Sequence, residues 1–144
     1  MGLNPNVWLP KLKFTLQTMA VTYPDHPNDV SRKKYYDFIQ NLPVFIPMSP
    51  FGKDFIDMLD KYPVTPYLDS RLSFMKWINF IFNKINEKLE KPQEDFYESL
   101  EKYYHNYKPK EIIDQENYDS KKKYIEGGAI ILLIAFIYYI YNND

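Results

Sequence analysis

Asp69–Pro92 reads DSRLSFMKWINFIFNKINEKLEKP, with apolar residues recurring at Met75, Ile78, Ile81, Phe82, Ile85 and Leu89. That three-to-four spacing gathers them on one face of a helix. Asp69 or Ser70 can cap the start by accepting a backbone N–H, and Pro92 cannot continue the helix past Lys91. A helix of about 20 residues is about 30 Å long, the width of a small domain. The other segments are short enough to pack around it.

Upstream, the pattern predicts three shorter helices. Trp8 to Tyr23 carries Leu12, Leu16, Met19 and Ala20 at helical spacing, entered through Pro10 and ended by Pro24. The run Tyr23-Pro24-Asp25-His26-Pro27 reads as a turn, because each proline pushes its predecessor out of helical geometry. Asp29 or Ser31 caps a second helix to about Leu42, with Tyr35, Phe38 and Ile39 on one face. Leu42 to Met48 is apolar and proline-broken, which reads as a buried connection. Ser49-Pro50 supplies a cap and a first-turn proline for a third helix carrying Phe51, Phe55, Ile56 and Leu59, stopped at Tyr62-Pro63. Downstream, Pro92 to Tyr107 predicts a short fifth helix with Phe96, Leu100 and Tyr103 or Tyr104 facing inward. Lys108 to Lys123 reads as a polar linker. No stretch alternates cleanly over six residues, so the fold class is all-α, a four-helix bundle with a short fifth helix.

The 144 residues fit one domain plus an extension, and 45% apolar with 18% aromatic content is enough for a packed core. The net charge is −1, and 16 lysines with two arginines form no basic face, so no nucleic-acid partner is expected. There is no cysteine, which excludes disulfide scaffolds, zinc–cysteine sites and thiol chemistry. His26 and His105 stand alone, so no metal site is expected. The start MGLNPNVWLP lacks the charged and apolar regions of a signal peptide, and Asn6 stands where an N-myristoylation signal prefers Ser or Thr.

Gly127 to Tyr141, GGAIILLIAFIYYIY, carries no charge for 15 residues. It would extend about 22 Å against a hydrocarbon core of about 30 Å. Tyr138, Tyr139 and Tyr141 suit the far interface, and Lys121, Lys122 and Lys123 the near one, keeping the N-terminal domain cytosolic. The segment reads as a C-terminal transmembrane anchor; the alternative is a buried last helix of the bundle. Three regions follow: 1–92 the bundle, 93–123 a Tyr-rich short helix and linker, 124–144 the anchor.

Trp77, Asn83, Asn86, Lys88, Leu89, Lys91 and Pro92 form the pattern W-x5-N-x2-N-x-K-L-x-K-P. It resembles the flavin-contacting helix of the Erv/ALR sulfhydryl oxidases, W-x4-H-N-x-V-N-x2-L-x-K, with Phe82 in place of the histidine. The likeness runs from about Trp8 to Pro92. Trp8, Pro10 and Leu16 keep the opening frame W-G-P-x2-W-x2-L-H of viral members, with Leu9, Lys13 and Gln17 at its glycine, second tryptophan and histidine. Ala20, Tyr23 and Pro24 match A-x2-Y-P, while Ser70 and Arg71 continue the register. The family's P-C-x-x-C falls on Pro47, Met48, Ser49, Pro50 and Phe51.

In that family the resemblance implies a cysteine pair that passes electrons from substrate thiols to flavin and on to oxygen. A thioether at Met48 and a phenyl ring at Phe51 can do neither step. The resemblance therefore implies an inactive homologue with no catalytic residues. Tyr23, Trp77, Asn83, Asn86 and Lys88 are vestigial flavin positions, and FAD is not expected to bind. The leading expectation is a non-enzymatic structural protein: a minor capsid or membrane-linking component of a large DNA virus, between internal membrane and capsid shell. Its expected partners are the membrane and other capsid or membrane proteins through Tyr103, Tyr104 and Tyr107, with homodimerisation a further expectation. The alternatives are a flavin-binding protein with a thiol-independent redox role and a regulatory pseudo-oxidase paired with an active relative.

Overall fold

The computed structural model describes residues 2–47 and 52–143. Its helices are α1 (Pro5–Val21), α2 (Asp29–Phe45), α3 (Lys53–Lys61), α4 (Arg71–Lys88), α5 (Phe96–His105) and α6 (Lys110–Asn143). A single 3-10 turn, Thr65–Tyr67, lies between α3 and α4. Among the described residues there is no strand, as the sequence pattern requires. Residues 1–103 form one compact unit and 104–144 a second.

α4 is the centre of the first unit. Ser70 caps it, its hydroxyl accepting the Ser73 N–H at 3.2 Å. It buries Phe74, Trp77, Ile78, Ile81, Phe82 and Ile85. Met75 and Leu89, the two ends of the expected face, are only partly buried beside the core. The true centre lies toward Phe74 and Trp77, whose rings stack with centroids 6.3 Å apart. α1 contributes Leu9, Leu16 and Ala20, α2 Ile39 and Leu42, and α3 Phe55, Met58 and Leu59. α1 is the helix in densest contact with α4.

Several helix limits differ from expectation, each for a local reason. α1 begins at Pro5 because Asn4 already offers a cap, its side chain accepting the Asn6 N–H at 2.9 Å. Pro10 therefore lies inside the helix rather than at its entrance. Asn28, not Asp29 or Ser31, caps α2, with Oδ1 accepting the Ser31 N–H at 2.8 Å. α2 also runs through Pro43 to Phe45, so the start of the expected connection is helical; Leu42, Pro43 and Ile46 are buried, while Val44 and Phe45 are each 77% exposed. The expected start of the third helix at Ser49-Pro50, with Met48 and Phe51, lies outside the described residues.

α4 stops at Lys88, before Pro92 can act. Glu90 adopts the left-handed conformation, φ 55°. The Lys91 N–H then reaches the Asn86 carbonyl at 2.8 Å and the Glu90 N–H reaches that of Glu87 at 3.2 Å. This is the reversal that commonly satisfies the last carbonyls of a helix, with glutamate where glycine is usual. It turns residues 92–95 back along α4.

In the second unit, 108–123 is not a loose linker. Lys110–Asn143 is one uninterrupted helix of 34 residues. The polar half is rich in Lys and Glu, good helix formers, and is laced by side-chain pairs such as Gln115–Asp119. Tyr124 to Ile140 exposes Ile, Leu, Phe and Tyr side chains, and no part of the apolar window is buried. The last helix is long and apolar enough to cross a membrane.

Candidate functional site

Trp77 is 1% exposed at the middle of α4, and its indole N–H donates to the Tyr62 carbonyl at 3.1 Å. Tyr23 is fully buried after α1 and donates its hydroxyl to the Leu68 carbonyl at 2.8 Å. Its ring meets Tyr35 edge-on at 4.6 Å and Phe74 at 5.3 Å. Burial pushes the Tyr23 phenol up, against the pull of the Arg32 guanidinium. A hydroxyl so held is a structural donor, with no tendency to ionise near neutral pH.

Asn83 is bound at both ends to one residue. Its Nδ2 donates to the Glu94 carbonyl at 2.8 Å, and its Oδ1 accepts the Glu94 N–H at 2.9 Å. Asn79, one helical turn earlier, donates to the same carbonyl at 3.2 Å. Asn86 donates to the Pro92 carbonyl at 3.3 Å. Lys88, at the end of α4, pairs instead with Asp54 of α3 at 2.9 Å. The three asparagines thus share the returning 92–95 loop, whereas Trp77, Tyr23 and Lys88 face other parts of the unit.

Glu94 is the joint of this arrangement, and it carries no signal in the sequence. Its carboxylate pairs with Lys13 of α1 and with Lys102 of α5, the latter at 3.0 Å. Burial pushes its pKa up, but hydrogen bonds from Lys13 and Lys102 outweigh that and hold it below the usual glutamate value. Gln17 donates to the Ser99 hydroxyl of α5 at 3.1 Å. Tyr103, expected on a partner surface, is instead 4% exposed, donating to the Thr18 hydroxyl at 3.1 Å and lying against Phe14. Tyr104 and Tyr107 are exposed. Lys13 and Gln17 therefore serve to fasten the 92–103 segment onto the seam between α1 and α4.

A cleft of about 170 Å³ opens beside this fastening, lined by Leu9, Lys13, Phe82, Asn86, Lys91 and Glu94 among others. Its size falls short of the range of ligand sites, roughly 300–1,000 Å³. Its donors are already committed: Lys13 to Glu94, Lys91 to Asn6, and Asn86 to the Pro92 carbonyl. Phe82 is buried in the core at 3% exposure and offers no hydrogen bond. Asn79 Oδ1 is a buried acceptor without a partner among the described residues, but it accepts and so cannot hold a phosphate. As arranged, these residues do not fit a flavin dinucleotide unless Glu94 leaves its two lysines. No cluster able to hold a metal ion occurs among the described residues.

A compact all-helical bundle, a helix patterned W-x5-N-x2-N and a loop folded back on its asparagines define the class. Residues 13–108 match the model of the Erv1/Alr family, and the chain belongs to that family. It is 31% identical over 94 residues to an FAD-linked sulfhydryl oxidase homologue of Invertebrate iridescent virus 3, covering 65% of this chain and 63% of that one. It is 32% identical over 77 residues to the mitochondrial FAD-linked sulfhydryl oxidase erv1 of Schizosaccharomyces pombe, covering 54% and 42%. The chain spans about two fifths to three fifths of the length of these relatives. Among solved structures, the crystal structure of the yeast Erv1 core superposes with a TM-score of 0.63 at 23% identity, covering 70% of this chain and 84% of that one. The FAD binding domain of Erv1 from Saccharomyces cerevisiae matches equally, with 94% of that chain covered. These structures establish the likeness of fold.

The relatives are FAD-linked by name, which runs against the expectation of a chain without cofactor. The thiol half of the chemistry is a different matter. No cysteine occurs anywhere in the 144 residues, so this chain cannot supply the dithiol that a sulfhydryl oxidase uses.

Proposed function

We propose that this chain is a non-catalytic member of its family that binds no flavin and works as a membrane-anchored structural module. The observation that carries the reading is the pairing of a cysteine-free Erv1/Alr bundle with an exposed apolar helix. With the thiol relay gone, selection acts on the bundle as a shape. Glu94 and its loop fill the seam where the family resemblance places the cofactor. Each vestigial polar group is engaged within the protein: the Asn83 amide holds the loop backbone, and the Trp77 indole holds the α3–α4 connection. α6 ties that shape to a bilayer, with the bundle on the cytosolic side.

The viral relative gives the reading its setting. A helical module displayed on a membrane during assembly ends between an internal membrane and the capsid shell, as a minor capsid or membrane-linking protein. Tyr104 and Tyr107, both exposed, offer aromatic contact area to a shell neighbour.

The test is a visible absorbance spectrum of detergent-purified full-length protein, followed by flotation with liposomes. A colourless protein that floats is expected. A flavin band near one per chain would refute the cofactor-free reading, and a protein that stays at the bottom without detergent would refute the anchor.

A further inference from the structure

The polar half of α6 is exposed apart from the half-buried Ile113, and it contains a feature that the fold of one chain does not use. Between Lys110 and Glu126, nine of 17 residues are charged. Beyond Lys110, where it begins, one path at alternating four- and three-residue spacing meets none of the others: Ile113, Asn117, Ser120, Tyr124 and Gly127. Every other such path runs into Lys121, Lys122 or Lys123 or meets an acid first. The charge-free path continues into the apolar half as Ile131, Ile134 and Tyr138. A mean repeat of 3.5 residues is the period at which two helices wind around each other. Because α6 is unbroken from Lys110 to Asn143, the whole path lies on one continuous stripe.

Resting on the anchor reading above, we propose that α6 pairs in parallel with α6 of a second copy along this stripe. Two copies anchored in one membrane in the same sense present their α6 helices in parallel, so like residues meet at like depth. Asn117 then faces the second copy's Asn117, and a lone asparagine at such a position favours a parallel, in-register pair. Glu116, which pairs with Lys108 of its own chain at 2.7 Å, and Lys121 flank the stripe five residues apart, so Glu116 of one helix lies beside the second copy's Lys121. That is the charge complementarity that parallel pairs use at their edges.

Gly127 gives an independent reason. A methyl group added there would meet nothing within 4 Å in this chain, and its φ is not positive. Glycine inside a helix costs about 1 kcal/mol relative to alanine. Nothing within one copy offsets that cost, whereas a second helix crossing at the membrane surface needs a residue without a side chain.

The absence of cysteine makes the test direct. Full-length Asn117→Cys and Tyr124→Cys carry single thiols on the stripe, and Tyr118→Cys and Ile125→Cys carry them off it. Each variant is reconstituted into phosphatidylcholine liposomes, floated, oxidised with copper–phenanthroline and run on a non-reducing gel. Disulfide-linked dimers are expected from the two stripe variants and background from the other two. Adding Gly127→Leu to Asn117→Cys should lower the dimer yield. Equal cross-linking at all four sites, cross-linking only off the stripe, or none in protein that floats would overturn the pairing while leaving the anchor intact. Protein that does not float overturns both.

Discussion

Asn83 separates a structural reading of the seam from a cofactor-binding one. Replacing it with alanine removes the 2.8 Å and 2.9 Å bonds that tie both backbone groups of Glu94 to α4. A hydrogen bond contributes about 1 kcal/mol net, and a buried group left unpaired costs about 1–3 kcal/mol. The Glu94 carbonyl keeps the Asn79 donor, so the unpaired group is the Glu94 N–H. The sum is a loss of about 2–3 kcal/mol. For a unit of 103 residues that corresponds to a fall in Tm of roughly 10–20 °C. The assay is thermal unfolding of the full chain in detergent, followed by circular dichroism and tryptophan fluorescence. Asn83→Asp sharpens the comparison: it keeps an acceptor for the N–H but turns a second oxygen on the carbonyl, so part of its deficit should recover as the new carboxyl is protonated. A Tm change below about 2 °C for the alanine variant, or a loss of bound flavin in place of stability, would refute the reasoning.

Other changes probe single contacts. Tyr23→Phe deletes only the buried hydroxyl bond to the Leu68 carbonyl, and the urea midpoint should fall by the equivalent of about 1–2 kcal/mol with the aromatic cluster intact. Glu90→Gly relieves the left-handed backbone at φ 55° and should raise stability by about 1 kcal/mol in the same measurement. Glu94 has a folded pKa below its ordinary value, so the stability it contributes is present above that value and lost as pH falls through the lowered one. Denaturant unfolding between neutral pH and about pH 3 should show this loss, and Glu94→Gln should weaken the protein at neutral pH while flattening the acid limb. Ser70→Ala removes the α4 cap and should cost about 1 kcal/mol.

Much of the fold is written in local pattern. The apolar spacing of 69–92, the serine ahead of Arg71 and the unbroken run from Gly127 fix helix, start and a charge-free apolar stretch without reference to anything distant. Cysteine counting removed thiol chemistry with equal force, since a missing sulfur cannot be restored by folding. The W-x5-N-x2-N pattern placed the chain in its family from a handful of side chains on one helix.

What sequence could not reach lies in pairs far apart in the chain. Glu94 meets Lys13 across 81 residues, and nothing near either residue marks the other. Tyr103 is one of several tyrosines in a run, and only the approach of Thr18 and Phe14 distinguishes it from the exposed Tyr104. The same holds for Asn83: as a letter in a motif it suggests a cofactor contact, but in space both ends of its amide hold the returning loop. The reversal at Glu90 is equally hidden, because glutamate carries no turn signal and takes the left-handed conformation only where the following loop is held by packing and hydrogen bonds. Periodicity and composition act through neighbours in the chain and so determine helices, their buried faces and the missing chemistry. Which polar group satisfies which depends on three-dimensional proximity, and only the tertiary structure decides it.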